Sequence, residues 1–303
     1  MSFKRRRFLI LGGLSGLGLA ILGKQALRPG QTTTATTPEV APLQVATPTG
    51  QPLLRFAAIA DTGSGDRNQF AVGQAMAKYR DRNPYDLVVL AGDNIYNSGE
   101  MSRIQVAFEE PYQQLLQAGV KFRAGLGNHD IRTENGDPQV RYAGFNMQGR
   151  FYSYVAEAAQ FFVLDTNGNA DWKGQMAWLE QELSKSQAQW KVVYGHHPIY
   201  SSGHYGTDSE FVKLFTPLFK KYRVQLYING HEHDYERSQP IDGTTYLVTG
   251  IGGASLRPVG KSKWTAASTS RFGFSAIELH RDHLVIQGIG TDNTVFDRGK
   301  IPV

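Results

Sequence analysis

From Leu53 onward, short apolar runs alternate with stretches of helical spacing. "LLRFAAIAD", "YDLVVLAGD", "VKFRAGLGNHD", "AQFFVLDTN", "QWKVVYGHHP" and "VQLYINGHEHD" are almost continuously hydrophobic and then stop at polar residues. That is the pattern of strands buried on both faces. "FYSYVA" predicts one more strand. Between the runs, "NQFAVGQAMAKYRDR" has helical spacing through Phe70, Gln74, Met76 and Ala77 beside a polar face. "WKGQMAWLEQELSKSQ" sets Met176, Leu179 and Leu183 along one face. "RIQVAFEEPYQQLLQAG" predicts a helix closed near Gly119, and "DSEFVKLFTPLFKKY" a helix kinked at Pro217. "TTYLVTGIGG", "FGFSAIEL" and "HLVIQGIG" predict a terminal run of antiparallel strands, turning at Arg281-Asp282. Strands and helices in alternation indicate an α/β domain.

Five of the buried runs end in side chains that suit a metal ion: Asp61, then Asp93, then Asn128 and His129, then His196, then His231 and His233. In α/β sheets, sites collect at the carboxyl ends of strands. His231 and His233, two apart on an extended segment, face the same way. The chain has no cysteine, so any metal is held by nitrogen and oxygen.

The net charge of +5 is concentrated at the N-terminus, where Lys4, Arg5, Arg6, Arg7, Lys24 and Arg28 have no acidic neighbour before residue 29. Without those six the remainder carries about −1, which argues against nucleic acid as a partner. The cationic head and the apolar run Phe8 to Leu22 have the layout of an export signal or a short N-terminal anchor over 1–28. "RRRFL" resembles the twin-arginine signal of proteins exported already folded. The expected location is therefore periplasmic, secreted, or tethered to the outer face of the cytoplasmic membrane. Cleavage of the segment is open, and the membrane is met only through it. The Thr/Pro/Ala-rich stretch 29–52 has too little apolar surface to pack and reads as a linker, leaving 53–303 as the catalytic domain.

The ordered set of loops resembles the calcineurin-like metallophosphoesterase superfamily, whose motifs run Asp, Gly-Asp, Gly-Asn-His, His and Gly-His-x-His. "GDNIY" adds Tyr96 and narrows the resemblance to the purple acid phosphatases, in which that tyrosine binds ferric iron. "VVYGHHP" fits through Val193 and His196. "GNHD" and the short chain are similar to the tartrate-resistant, mammalian-type branch, and "GHEHDYERS" is similar to the larger plant enzymes. The resemblance implies a four-layer α/β/β/α sandwich of two mixed β-sheets flanked by helices. It implies a dinuclear centre of Fe(III) and a divalent iron, zinc or manganese ion. Asp61, Tyr96 and His233 would hold the ferric ion, Asn128, His196 and His231 the divalent ion, and Asp93 would bridge them. Hard carboxylate and phenolate oxygens suit Fe(III), and imidazole suits the softer ion. The implied activity is acid phosphatase: hydrolysis of small phosphate monoesters by metal-bound hydroxide.

On the leaving-group side the resemblance implies His129 and His204 as proton partners, although His204 stands one residue short of the usual spacing. Asp130 is expected to orient His129, and His197 to stand behind the ligands or at the rim. Arg132, Arg237 and Arg271 are equal candidates for phosphate contact. "GIGG" (Gly250 to Gly253) is expected to be a turn, and His280 and His283 to be solvent-exposed. Ala60 replaces the usual glycine of the first motif, a change small enough to be neutral. A phosphodiesterase or nucleotide hydrolase on the same metals, and a non-catalytic exported binding protein, are the rival readings. Oligomeric state and natural substrate are not encoded in these motifs.

Overall fold

The computed structural model describes residues 50–302; the expected signal or anchor over 1–28 and the linker up to residue 49 lie outside them. β1 (Leu54–Ile59) leads to α1 (Arg67–Arg82), β2 (Leu87–Ala91), α2 (Gln113–Gln117) and β3 (Lys121–Gly125). Next come α3 (Asp137–Arg141), β4 (Tyr152–Ala156), β5 (Ala159–Val163), α4 (Trp172–Lys185), β6 (Trp190–Tyr194), α5 (Ser209–Tyr222) and β7 (Leu226–Asn229). β8 (Tyr235–Ser238), β9 (Thr245–Thr249), β10 (Thr265–Thr269), β11 (Gly273–Leu279), β12 (His283–Gly290) and β13 (Val295–Pro302) complete the described chain. No helix among the described residues is long and apolar enough to cross a membrane.

The strands form two mixed sheets, ordered β13-β12-β11-β1-β2-β3 and β10-β8-β9-β7-β6-β5-β4. Alternation along each strand sends side chains into two different cores. Phe56, Ala58 and Val89 of the first sheet meet Phe161, Val192 and Ile228 of the second in a buried layer between them. The opposite residues, Ala57, Ile59 and Val88, pack under Val72, Met76 and Tyr79 of α1. Phe162, Val193 and Tyr227 pack under Leu179 and Leu183 of α4 and Phe215 and Phe219 of α5. This is the four-layer arrangement that the resemblance implied. α1 starts where the Asp66 carboxylate accepts from the amides of Asn68 and Gln69 (2.9 and 3.1 Å), a cap worth about 1 kcal/mol.

Three expectations need correction. The helix over 103–119 is broken into a 3-10 turn (Met101–Arg103), a π turn (Gln105–Glu109) and α2. Pro111 has no N–H to donate to residue 107, and its ring crowds that carbonyl. The Ala107 oxygen instead accepts from Gln69 Nε2 at 2.6 Å. "TTYLVT" does not join the terminal antiparallel run: as β9 it lies in the second sheet, parallel to β7 and antiparallel to β8. β11, β12 and β13 do form antiparallel pairs, and β11 closes against β1. His280 and His283 are buried, 4 % and 5 % exposed, with rings stacked 4.4 Å apart. The turn between them folds back beneath Trp190, whose Nε1 donates to the His280 carbonyl at 2.9 Å. α5 runs through Pro217, and the Gly119 φ of 79° closes α2 as expected.

Candidate metal centre

The carboxyl ends of β1, β2, β3, β6 and β7 open on one side, and the loops beyond them bring seven expected side chains toward one point. Tyr96 Oη stands 3.0 Å from Asp61 Oδ1, 2.9 Å from Asp93 Oδ2 and 3.1 Å from His233 Nε2. Asp93 Oδ2 also lies 3.4 Å from His196 Nε2, which is 3.2 Å from Asn128 Oδ1. Asp93 therefore joins two groups of donors: Asp61, Tyr96 and His233 on one side, Asn128 and His196 on the other. Ligand atoms of Asp61, Asp93 and His233 all fall within 4.8 Å of one another. His231 enters by packing and by its backbone: its amide donates to Asp61 Oδ2 at 2.9 Å, and its ring lies 5.1 Å from that of His196.

Local backbone geometry aims these groups. Asp61, Asp93, His231 and His233 have φ of 56°, 53°, 71° and 53°. A left-handed backbone at a residue with a Cβ costs on the order of 1–2 kcal/mol. Four such residues at one point mark strain held by the surrounding packing. A Cβ on Gly250 would stand 2.6 Å from Asp61 Oδ2, and one on Gly127 would collide with the Asp93 carboxylate. Gly250 to Gly253 is thus a close backbone approach to the cluster, where the sequence reading favoured a simple turn.

The electrostatics ask for a cation. Asp61 and Asp93 are 0 % and 1 % exposed. Burial, then the charges of Asp61 and Asp93, push the Tyr96 phenol well above its ordinary pKa. Burial works against a charged His196, but the Asp93 carboxylate outweighs it and lifts His196 to about 9. His233 is raised in the same way, burial being overcome by Asp61. Burial alone would lift Asp93, and His196 and His129 reverse that and hold it low. His231 goes the other way, pushed well below its ordinary pKa by burial and then by His196. A cluster that draws protons onto His196 and His233 to balance its carboxylates fits a metal ion in their place. The second ring nitrogens are locked outward: His196 Nδ1 meets the Ala91 carbonyl at 3.0 Å and His233 Nδ1 the Ser255 carbonyl at 2.8 Å. That leaves each Nε2 turned inward, the usual arrangement for ligating histidines.

The other expected residues are placed as follows. His129 reaches the rim: its amide donates to Asp93 Oδ1 at 2.9 Å, and its Nδ1 lies 2.6 Å from the Asn97 carbonyl. Its Nε2 faces Arg132 Nη2 at 3.1 Å. A guanidinium only donates, so His129 Nε2 accepts and Nδ1 carries the proton. Asp130 does not touch the His129 ring. Its carboxylate accepts from the amides of Asn94, Ile95 and Gly127 and from Gln139 Nε2, tying the "GDN" loop to the "GNH" loop. His197 stands beside the cluster, its ring 4.5 Å from that of His231 and its Nδ1 2.8 Å from Thr166 Oγ1; burial, then His196, pushes it down to about 3. His204 is exposed, its ring edge-on to Tyr205 at 4.9 Å. Among the three arginines, Arg237 is engaged by Asp297 (2.6 and 2.9 Å) and Arg271 by Asp292 (3.1 Å). Only Arg132 of the three stands beside the cluster.

Sequence reasoning missed several residues because loops bring them in. Thr166 Oγ1 accepts the amides of His196 (3.1 Å) and His197 (3.0 Å). Tyr205 stacks on His231, and Arg257 Nη1 donates to the His231 carbonyl at 2.8 Å. Asp234 is fully buried with no hydrogen-bond partner among the described residues, and burial with the charges of Glu232 and Glu236 pushes it up to about 9.

Comparison with known proteins places the chain in a family. Residues 54–235 match the calcineurin-like phosphoesterase family model, and residues 243–298 match the model described as iron/zinc purple acid phosphatase-like protein C. Purple acid phosphatase 17 of Arabidopsis thaliana is 30 % identical in an alignment that covers 67 % of this chain and 69 % of the relative. Tartrate-resistant acid phosphatase type 5 of Sus scrofa is 25 % identical in an alignment that covers 94 % of this chain and 95 % of the relative. A purple acid phosphatase from yellow lupin (Lupinus luteus) seeds shares the fold with a TM-score of 0.71 at 19 % identity, covering 84 % of this chain and 55 % of that one. GAP50, the anchor in the inner membrane complex of Plasmodium, superimposes with a TM-score of 0.75 at 22 % identity, covering 84 % and 90 %.

Proposed function

The chain belongs to the calcineurin-like phosphoesterase family, in its purple acid phosphatase branch, and we propose that it hydrolyses phosphate monoesters in acid through a dinuclear metal centre. The observation that carries this reading is Tyr96 Oη within hydrogen-bond distance of Asp61, Asp93 and His233. Asp61, Tyr96 and His233 would hold Fe(III), Asn128, His196 and His231 a divalent iron, zinc or manganese ion, with Asp93 shared. When bound, such a pair supplies Lewis-acid charge to phosphoryl oxygens and lowers the pKa of water enough to make a nucleophile near neutrality.

The chain's own residues do the rest. The Ala91 and Ser255 carbonyls fix His196 and His233 in the tautomer that ligates. Asp130 and Gln139 hold the loops of Asp93 and Asn128 together, so the two halves of the centre keep one spacing. Arg132 has N–H groups to spare beyond its bonds to the Asn97 carbonyl (3.0 Å) and His129, and it is placed to meet a phosphoryl oxygen. In this arrangement His129 is neutral. It steers the guanidinium, and serves as a general acid only once Arg132 shifts to substrate and the freed Nε2 has taken up a proton from the acidic solvent, which it then gives to the leaving oxygen. His204 lies farther out and would meet the leaving group, not the phosphorus. The N-terminal segment supports export, with the domain acting outside the cytoplasm on a small phosphate monoester.

The test is hydrolysis of p-nitrophenyl phosphate against its bis ester by metal-loaded protein in mild acid. The monoester is expected to be much the faster substrate. The reverse preference would assign a phosphodiesterase, and loss of both activities with two metals bound would assign a binding protein.

A further inference from the structure

Tyr205 has no part in the reaction described above, yet it is 55 % exposed at the mouth of the site. Its ring lies 4.3 Å from that of His231 and within 18° of parallel. An exposed aromatic on a short loop ordinarily moves freely, but this loop is pinned. The amides of Tyr205 (3.0 and 3.1 Å) and Gly206 (2.9 Å) donate to the Glu232 carboxylate. The Ser202 amide donates to Glu236 at 2.7 Å, and the Gly260 amide closes on the Ser202 carbonyl at 3.0 Å. Glu232 is fully buried and spends both oxygens on this loop. The Arg257 guanidinium stands 5.2 Å from the Tyr205 ring centre while Nη1 holds the His231 carbonyl. Among the described residues Arg257 makes no ion pair. Two buried or half-buried charged side chains thus hold one aromatic ring in fixed register with a residue of the metal cluster, with half its surface left open.

We infer that Tyr205 is a specificity-determining residue that selects phosphomonoesters whose leaving group is a planar aromatic ring, with Glu232 and Arg257 as its positioning residues. This rests on the phosphomonoesterase reading given above. An immobilised ring pays little ordering entropy when a second ring packs on it, and aromatic pairs gain from offset-stacked or edge-on contact. An alkyl leaving group gains less from the same surface. Tyr205 Oη bonds to no described residue, so the ring, not the hydroxyl, is the working part.

The test separates binding from chemistry by using phosphonates, which cannot be hydrolysed. Phenylphosphonate and methylphosphonate are measured as ligands of the metal-loaded full chain, by calorimetry and by competitive inhibition. Tyr205→Ala is expected to weaken phenylphosphonate about tenfold, ~1.4 kcal/mol, and methylphosphonate by no more than about twofold. Tyr205→Phe is expected to keep the aryl preference. Metal content of each variant is read alongside, so that loss of a His231-side ion is recognised. Equal weakening of both ligands at unchanged metal content would show that the ring merely shields His231, and no weakening of either would remove Tyr205 from the site. A wild-type protein that binds both phosphonates but hydrolyses no monoester would overturn the catalytic reading and leave this inference standing or falling on affinities alone.

Discussion

Replacing Asp130 with asparagine perturbs the joint between the two metal-bearing loops without touching an expected ligand. Asp130 Oδ1 accepts from the Asn94 amide (2.9 Å), the Ile95 amide (3.1 Å) and Gln139 Nε2 (3.0 Å); Oδ2 accepts from the Gly127 amide (2.8 Å) and shares that of Asn94 (3.1 Å). Both oxygens face only donors. Burial and the Asp93 charge push the carboxyl up, and these N–H groups pull against them. In Asp130→Asn the amide nitrogen must replace one oxygen, and the less damaging choice still leaves the Gly127 N–H buried against another donor. A buried donor without an acceptor costs about 1–3 kcal/mol, and converting the remaining charge-assisted bonds to neutral ones adds about 1 kcal/mol, so the loss is ~3 kcal/mol. Unfolding entropy of about 2.1 cal/mol/K per residue over roughly 250 residues is ~0.5 kcal/mol/K, which converts that loss to a fall in Tm of ~6 °C. Scanning calorimetry of the metal-loaded protein measures it, with metal affinity expected to drop about tenfold or more by chelator competition. A Tm within about 2 °C of wild type, with metal retained, would refute the bridge between the loops.

Tyr96→Phe in the iron-loaded protein should abolish a visible phenolate-to-iron absorption while leaving the fold intact; an unchanged spectrum means the phenol is not a ligand. Thr166→Val removes the hydroxyl that accepts the amides of His196 and His197, and should weaken metal binding about tenfold without changing the residues of the cluster. His280 is held below its ordinary pKa by burial and by His283. The folded state therefore binds its proton later than the unfolded state does, so stability is complete above about pH 6.5 and declines as pH falls below it. Denaturant melts on either side of that pH should show His280→Gln with a shallower decline than wild type; equal slopes would put the pH dependence elsewhere.

What could be read from the residues alone follows from how local each determinant is. β1, β2, β3, β6 and β7 are legible because parallel strands buried on both faces leave unbroken apolar runs, and the ligand loops are legible because the polar residues begin where those runs end. β9 was assigned to the wrong partners because "TYLVT" and "FSAIE" are equally apolar. Only the long-range pairing of Tyr246 with Tyr227, against that of Ser275 with Ala58, separates the sheets. The break at Pro111 carried its own signal, which the helical spacing around it outweighed. The burial of His280 and His283 depends on Trp190, some ninety residues earlier, and hairpin chemistry alone gives no hint of it. Tyr205 and Arg257 belong to loops whose backbones are fixed by Glu232 and His233, so their place at the site appears only once β7 and β8 are assembled.

The proposed function requires Asp61, Asp93, Tyr96, Asn128, His196, His231 and His233 to enclose two cations. Anomalous diffraction from crystals of the metal-loaded protein, collected on both sides of the iron and zinc edges, tests it most directly. The account predicts two peaks on either side of the Asp93 carboxylate, iron beside Asp61, Tyr96 and His233, and the divalent ion beside Asn128, His196 and His231. One peak alone, or metal bound anywhere outside this cluster, would contradict it.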